Sequence, residues 1–151
     1  MSPSHRLRPQ AGFMLIEVLI AVLVFSLGVL TIVGLQAASV QQSTKAKYRA
    51  DATLLANDLV GRMWVTDRKF ETLSENFATG GDGYGQWLAN VTATLPGAAD
   101  NPPEVTVESI EGGGIPPSDP SSLVTITLRW KPPQEPAGDP PHSLTVVTRI
   151  K

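Results

Sequence analysis

The amino-acid sequence predicts an α+β fold: a long N-terminal α-helix, half of it transmembrane, packed on a small antiparallel β-sheet. Three observations lead there. Phe13 to Leu35 is a 23-residue apolar run with one ionisable side chain, Glu17. The stretch that follows, to about Val65, keeps helix formers and an apolar stripe at helical spacing. Three later stretches alternate apolar and polar residues at period two, as half-buried strands do. The expected organisation is a basic leader over 1–12, the transmembrane half of the helix over 13–35, its amphipathic half over 36–65, and a sheet domain with Pro/Gly-rich loops over 66–151.

The leader carries His5, Arg6 and Arg8 and no acidic residue. Positive charge on the near flank of an apolar run places that flank in the cytoplasm, and so places the C-terminal domain across the membrane. At 1.5 Å per residue the apolar run makes a helix of about 35 Å, enough for a hydrocarbon core of about 30 Å. A secretory signal peptide has an apolar core of only about 7–15 residues, closed by small residues at its far end. An ordinary signal anchor satisfies the length and the flanking charge, but leaves Glu17 unexplained.

A carboxylate in a membrane helix costs about 2.5–3.5 kcal/mol near the centre and less near the edge. Such a charge calls for a partner. Cleavage between Gly12 and Phe13 would create one, because the new α-amino group of Phe13 lies one helical turn from Glu17 and is also available to a neighbouring chain. Glycine before that bond leaves room at a protease site on the membrane surface and permits an extended backbone.

The segment Gly12-Phe13-Met14-Leu15-Ile16-Glu17-Val18-Leu19 resembles the class III signal of type IV prepilins and pseudopilins. Met14 stands where that signal commonly has Thr. The resemblance implies a pilin-like fold, cutting after Gly12 by a membrane-embedded prepilin peptidase, and N-methylation of Phe13. It also implies that Glu17 neutralises a subunit amine during assembly.

Beyond Leu35 no proline occurs before Pro96. Tyr48, Ala52, Leu55, Leu59 and Met63 recur at spacings of four, three, four and four, which marks a seam for a sheet to cover. A helix from Phe13 to Val65 would be about 80 Å long, its lipid-side half extending beyond the domain. Gly28 and Gly34 each weaken the helix by about 1 kcal/mol; they read either as a place that loosens or as points of close helix approach in the membrane. Major pilins often carry a proline in this segment, and this chain does not.

Residues 66–99 read as a connecting region that docks aromatic side chains on the core. Gly80 to Gly85 reads as a flexible turn, since it lacks both the Gly-Lys-Ser/Thr ending of a phosphate loop and the repeated acids of a calcium loop. Strands are expected at Glu104 to Glu111, Leu123 to Lys131 and Leu144 to Ile150. In the middle one Val124, Ile126, Leu128 and Trp130 share the buried face. Between the last two strands lie Pro132, Pro133, Pro136, Pro140 and Pro141, a stiff connection read as a solvated loop, with display of a partner surface as the alternative. The stretches 100–103 and 112–120 are similar.

A formal net charge of -2 with scattered Lys and Arg gives no footprint for nucleic acid. With no cysteine there is no disulfide framework and no thiolate site. His142 reads as a surface residue, and no nucleophile motif or visible carboxylate pair points to an enzyme. No cofactor and no metal site are expected.

Gly34-Leu35-Gln36-Ala37 and Ala52 to Met63, including Asn57-Asp58-Leu59-Val60-Gly61-Arg62, are similar to the type IV pilus modification proteins of the PilV family, over about residues 11 to 64. A weaker likeness lies at Arg129-Trp130-Lys131. The resemblance implies a minor pilin that helps initiate a type IV pilus. Its implied partners are other minor pilins, the major pilin, a tip adhesin, prepilin peptidase and the bacterial inner membrane, before export to the cell surface. Two alternatives stay open: a minor pseudopilin of a type II secretion system, and a single-pass anchored periplasmic binding domain that is never processed.

Overall fold

The computed structural model describes residues 11–112 and 120–151, with side chains from 14 onward. The basic leader with His5, Arg6 and Arg8, and most of the Gly112–Pro120 connection, lie outside the described residues. The order is α1 (Ala11–Val65), α2 (Phe70–Phe77), α3 (Asp82–Thr94), β1 (Glu104–Ile110), β2 (Ser121–Trp130) and β3 (His142–Ile150). This is an α+β layout with a long N-terminal helix and a three-stranded antiparallel sheet. The chain divides into two compact units, Met1–Thr44 and Lys45–Lys151.

In the first unit the described chain is helix alone, and its large apolar side chains from Met14 to Leu35 are all exposed. The second unit has a core. Ala52, Ala56, Leu59 and Met63 of α1 are fully buried, while Tyr48 and Leu55 are only partly buried against that core. The buried line therefore runs through Ala56 where the spacing suggested Leu55. Alanines at 52 and 56 let neighbouring groups approach the helix closely, which side-chain hydrophobicity alone does not reveal.

α1 ends without glycine or proline. Thr66 Oγ1 donates to the carbonyl of Arg62 at 2.9 Å, so a local polar side chain takes up one of its terminal carbonyls, and the Lys69 N–H, just before α2, donates to Asp67 Oδ1 at 3.3 Å.

Residues 66–99 contain two helices, which corrects their reading as a connecting region. Leu73 and Phe77, four apart, form the buried edge of α2, and Tyr84, Trp87 and Val91 form that of α3. The Gly80–Gly85 stretch is likewise not one flexible turn: the reversal is confined to Gly80 and Gly81, and α3 starts at Asp82. Gly80 has φ of 101°, and a Cβ on Gly81 would collide with the carbonyl oxygens of Glu75 and Asn76. A Cβ on Gly83 would lie 2.8 Å from the Phe77 ring. These glycines let α2 and α3 close on each other, and tertiary contact outweighs their low helix propensity.

The strands pair in the order β1-β2-β3. Val105, Ile126 and Val146 align across the sheet, as do Val107, Val124 and Thr148. On β2, Val124, Ile126, Leu128 and Trp130 are buried and alternate with half-buried Thr125, Thr127 and Arg129. The strand limits differ from expectation by one or two residues. β2 starts at Ser121 and β3 at His142 because Ser121 pairs with Ile110 and His142 with Trp130. Thr79 covers part of the outer edge of β1: its N–H donates to Val105 O at 3.0 Å, and the Val105 N–H donates to Thr79 Oγ1 at 2.8 Å. Edge groups satisfied in this way are unavailable to another strand.

Candidate functional site

The expected processing and assembly residues lie at the start of α1, the one helix among the described residues long and apolar enough to cross a membrane. Gly12 and Phe13 are both helical, at the start of the described part of α1.

Glu17 is exposed one turn further on. Its helical neighbours Met14 and Ile20 are apolar and 68% and 58% exposed. The span from Met14 to Leu35 contains two other side chains that hydrogen-bond through oxygen, Ser26 and Thr31. Both are satisfied on their own helix: Ser26 Oγ donates to Val22 O at 2.7 Å, and Thr31 Oγ1 to Leu27 O at 2.9 Å. Glu17 differs. A carboxylate only accepts, so it cannot bond back to a carbonyl of the preceding turn. Among the described residues no ion pair includes it. The chain thus presents one acid, unsatisfied by the described residues, on an apolar rod.

Gly28 and Gly34 are open on this rod: a Cβ added at either would meet nothing within 4 Å. Packing within the chain does not require glycine there, whereas close approach by a second helix would.

In the second unit, sequence reasoning missed a polar cluster. Glu135, in the β2–β3 connection, accepts from His142 Nε2 at 2.8 Å to Oε1 and 3.0 Å to Oε2. Lys45 Nζ lies 3.3 Å from the same carboxylate. The His142 ring stacks on Trp130, with centroids 5.8 Å apart and planes 25° apart. His142 is therefore half-buried and engaged, not a plain surface residue. Hydrogen bonding from His142, aided by Lys45, holds the Glu135 carboxyl below its ordinary range against an opposing effect of desolvation. The sequence signal was faint: ninety residues separate Lys45 from Glu135. Among the described residues no three His, Asp or Glu side chains converge as a metal site would require.

Comparison with protein-family models, with curated proteins and with solved structures finds no match to this chain.

Proposed function

We propose that this chain is a minor pilin, processed at Gly12-Phe13 and carried from the bacterial inner membrane into a type IV pilus, at or near its tip. In this reading the apolar half of α1 first spans the inner membrane, with the domain from Lys45 onward in the periplasm. Prepilin peptidase removes residues 1–12 and methylates Phe13. The exposed apolar rod then leaves lipid only by packing against the helices of other minor pilins and the major pilin. At about 25 cal/mol per Å² of apolar surface, bare exposure to water is prohibitive.

The observation that carries the reading is Glu17. It is exposed and lacks a partner among the described residues, yet it stands four residues after Phe13, whose amine the cleavage would release. Moving such a pair together into a low-dielectric bundle compensates each charge with the other, whereas either alone is costly. The docked amine of a neighbouring subunit thereby sets the axial position of each new helix. A tip adhesin is the outward partner that the resemblance implies, and catalysis is not part of the role.

The test is an N-terminal mass spectrum of the protein extracted from membranes. The expected product begins at N-methyl-Phe13. A polypeptide beginning at Met1 overturns the reading and leaves a tethered periplasmic domain. Incorporation into a secretion pseudopilus instead of a surface pilus, seen by locating the processed subunit, would shift the assignment to a pseudopilin.

A further inference from the structure

The connection between β2 and β3 is ten residues with five prolines, Pro132 to Pro141, yet it is closed down at several points. The Glu135 N–H donates to Pro132 O and the Asp139 N–H to Pro136 O, each at 3.1 Å, which makes two successive turns. Lys131 Nζ reaches over both turns and donates to the carbonyls of Ala137 at 2.7 Å and Asp139 at 2.8 Å. The first turn then delivers the Glu135 side chain to Lys45 of α1 and His142 of β3. Glu135 is only 14% exposed there, and the Lys45 ammonium is 57% exposed.

We propose that Lys45, Glu135 and His142 form a pH-sensitive strap that fastens the proline-rich β2–β3 connection to α1 and to the sheet. Glu135 is the common member: it joins three segments, and Lys45 and His142 are linked only through it among the described residues. His142 donates to the carboxylate and Lys45 sets a cation beside it. The strap is therefore closed while Glu135 is ionised and open once Glu135 takes up a proton.

The sign for Glu135 follows from its depressed carboxyl. Its stabilisation is fully present above the ordinary value of 4.5 and is lost as pH falls through the lower folded value. None of the other charges nearby pairs with Glu135. Lys131 is held by the two carbonyls and Arg129 pairs with Glu104 at 3.3 Å, whereas the Asp139 carboxylate and Arg49, one turn beyond Lys45, take part in no ion pair among the described residues. Opening would free the five-proline segment and uncover the Trp130 ring now stacked on His142. The strap lies wholly within the second unit, so it holds whether or not the chain enters a filament.

The test is hydrogen exchange on the full chain in detergent micelles. Protection factors of the Glu135 and Asp139 amides are followed across pH, with β2–β3 ladder amides such as Val147 as controls. Wild type is expected to lose protection by about threefold as pH falls and Glu135 takes up its proton, the scale of a partly exposed ion pair. Glu135→Gln is expected to flatten the profile, and His142→Gln and Lys45→Met should each lower protection on the neutral side of that fall. A flat wild-type profile, or an unchanged fall in Glu135→Gln, overturns the strap. So does equal loss of protection in the ladder controls, which would show a general structural role.

Discussion

The indole N–H of Trp87 donates to the backbone carbonyl of Leu55 at 2.8 Å. One fully buried aromatic thus ties α3 to the C-terminal part of α1, at a carbonyl whose second lone pair is free for it. Replacing Trp87 with Phe loses that bond and part of the ring volume, for an expected cost of about 1–3 kcal/mol. Trp87→Ala should cost about 3–5 kcal/mol. Urea unfolding of the full chain in micelles, read by near-ultraviolet circular dichroism, measures both. Equal stability of Trp87→Phe and wild type would refute the account.

Tyr84 buries its ring among the core residues and donates its hydroxyl to Pro103 O at 2.7 Å. Burial raises its ionisation above the ordinary 10.0. Because the folded value is the higher one, the stabilisation is complete below pH 10.0 and is lost as pH rises through the folded value. Ultraviolet titration should show this tyrosine ionising late, with unfolding alongside. Tyr84→Phe should remove that alkaline step and cost about 1 kcal/mol at neutral pH.

Two glycines one helical turn apart should respond oppositely to alanine. At Gly81 the added methyl meets backbone oxygens of Glu75 and Asn76, which cannot swing away, so about 1–3 kcal/mol of destabilisation is expected. At Gly85, inside α3, a methyl meets nothing within 4 Å, and the gain in helix propensity should stabilise by up to about 1 kcal/mol. Paired thermal melts decide the matter, and a common sign for the two changes would contradict the described α2–α3 turn.

At the N-terminus the proposed function makes separable claims. Gly12→Val should leave an uncut precursor of unchanged membrane location, detected by intact mass. Glu17→Ala should be cut and methylated normally, yet stay in the inner membrane and be absent from sheared pili. Glu17→Gln should behave likewise if charge, not hydrogen bonding, matters. Undiminished pilus incorporation of either Glu17 variant would remove the role assigned to that carboxylate.

Much of this architecture was written in short-range pattern. The apolar run, the helical stripe and the alternation of Val124, Ile126, Leu128 and Trp130 are local periodicities, and each reports the burial of one face by a surface the pattern need not identify. What escaped were features whose cause lies far along the chain. α3 contains Gly83 and Gly85, which argue locally for a turn, and it is helical because Tyr84, Trp87 and Val91 find the core. His142 looked solitary because its carboxylate partner is supplied by a proline-rich loop, to which α1 brings Lys45.

The amino-acid sequence alone determined that one helix is apolar enough for a membrane, that a single acid interrupts it after a Gly-Phe pair, and that period-two strands follow. Those properties depend on residues within a few positions of one another. Only the tertiary structure decided the helicity of Phe70–Phe77 and Asp82–Thr94, the burial of Ala56 in place of Leu55, and the meeting of Lys45, Glu135 and His142. The physical reason is that burial and ion pairing reward proximity in space, and when folding joins residues ninety positions apart no local pattern records the encounter.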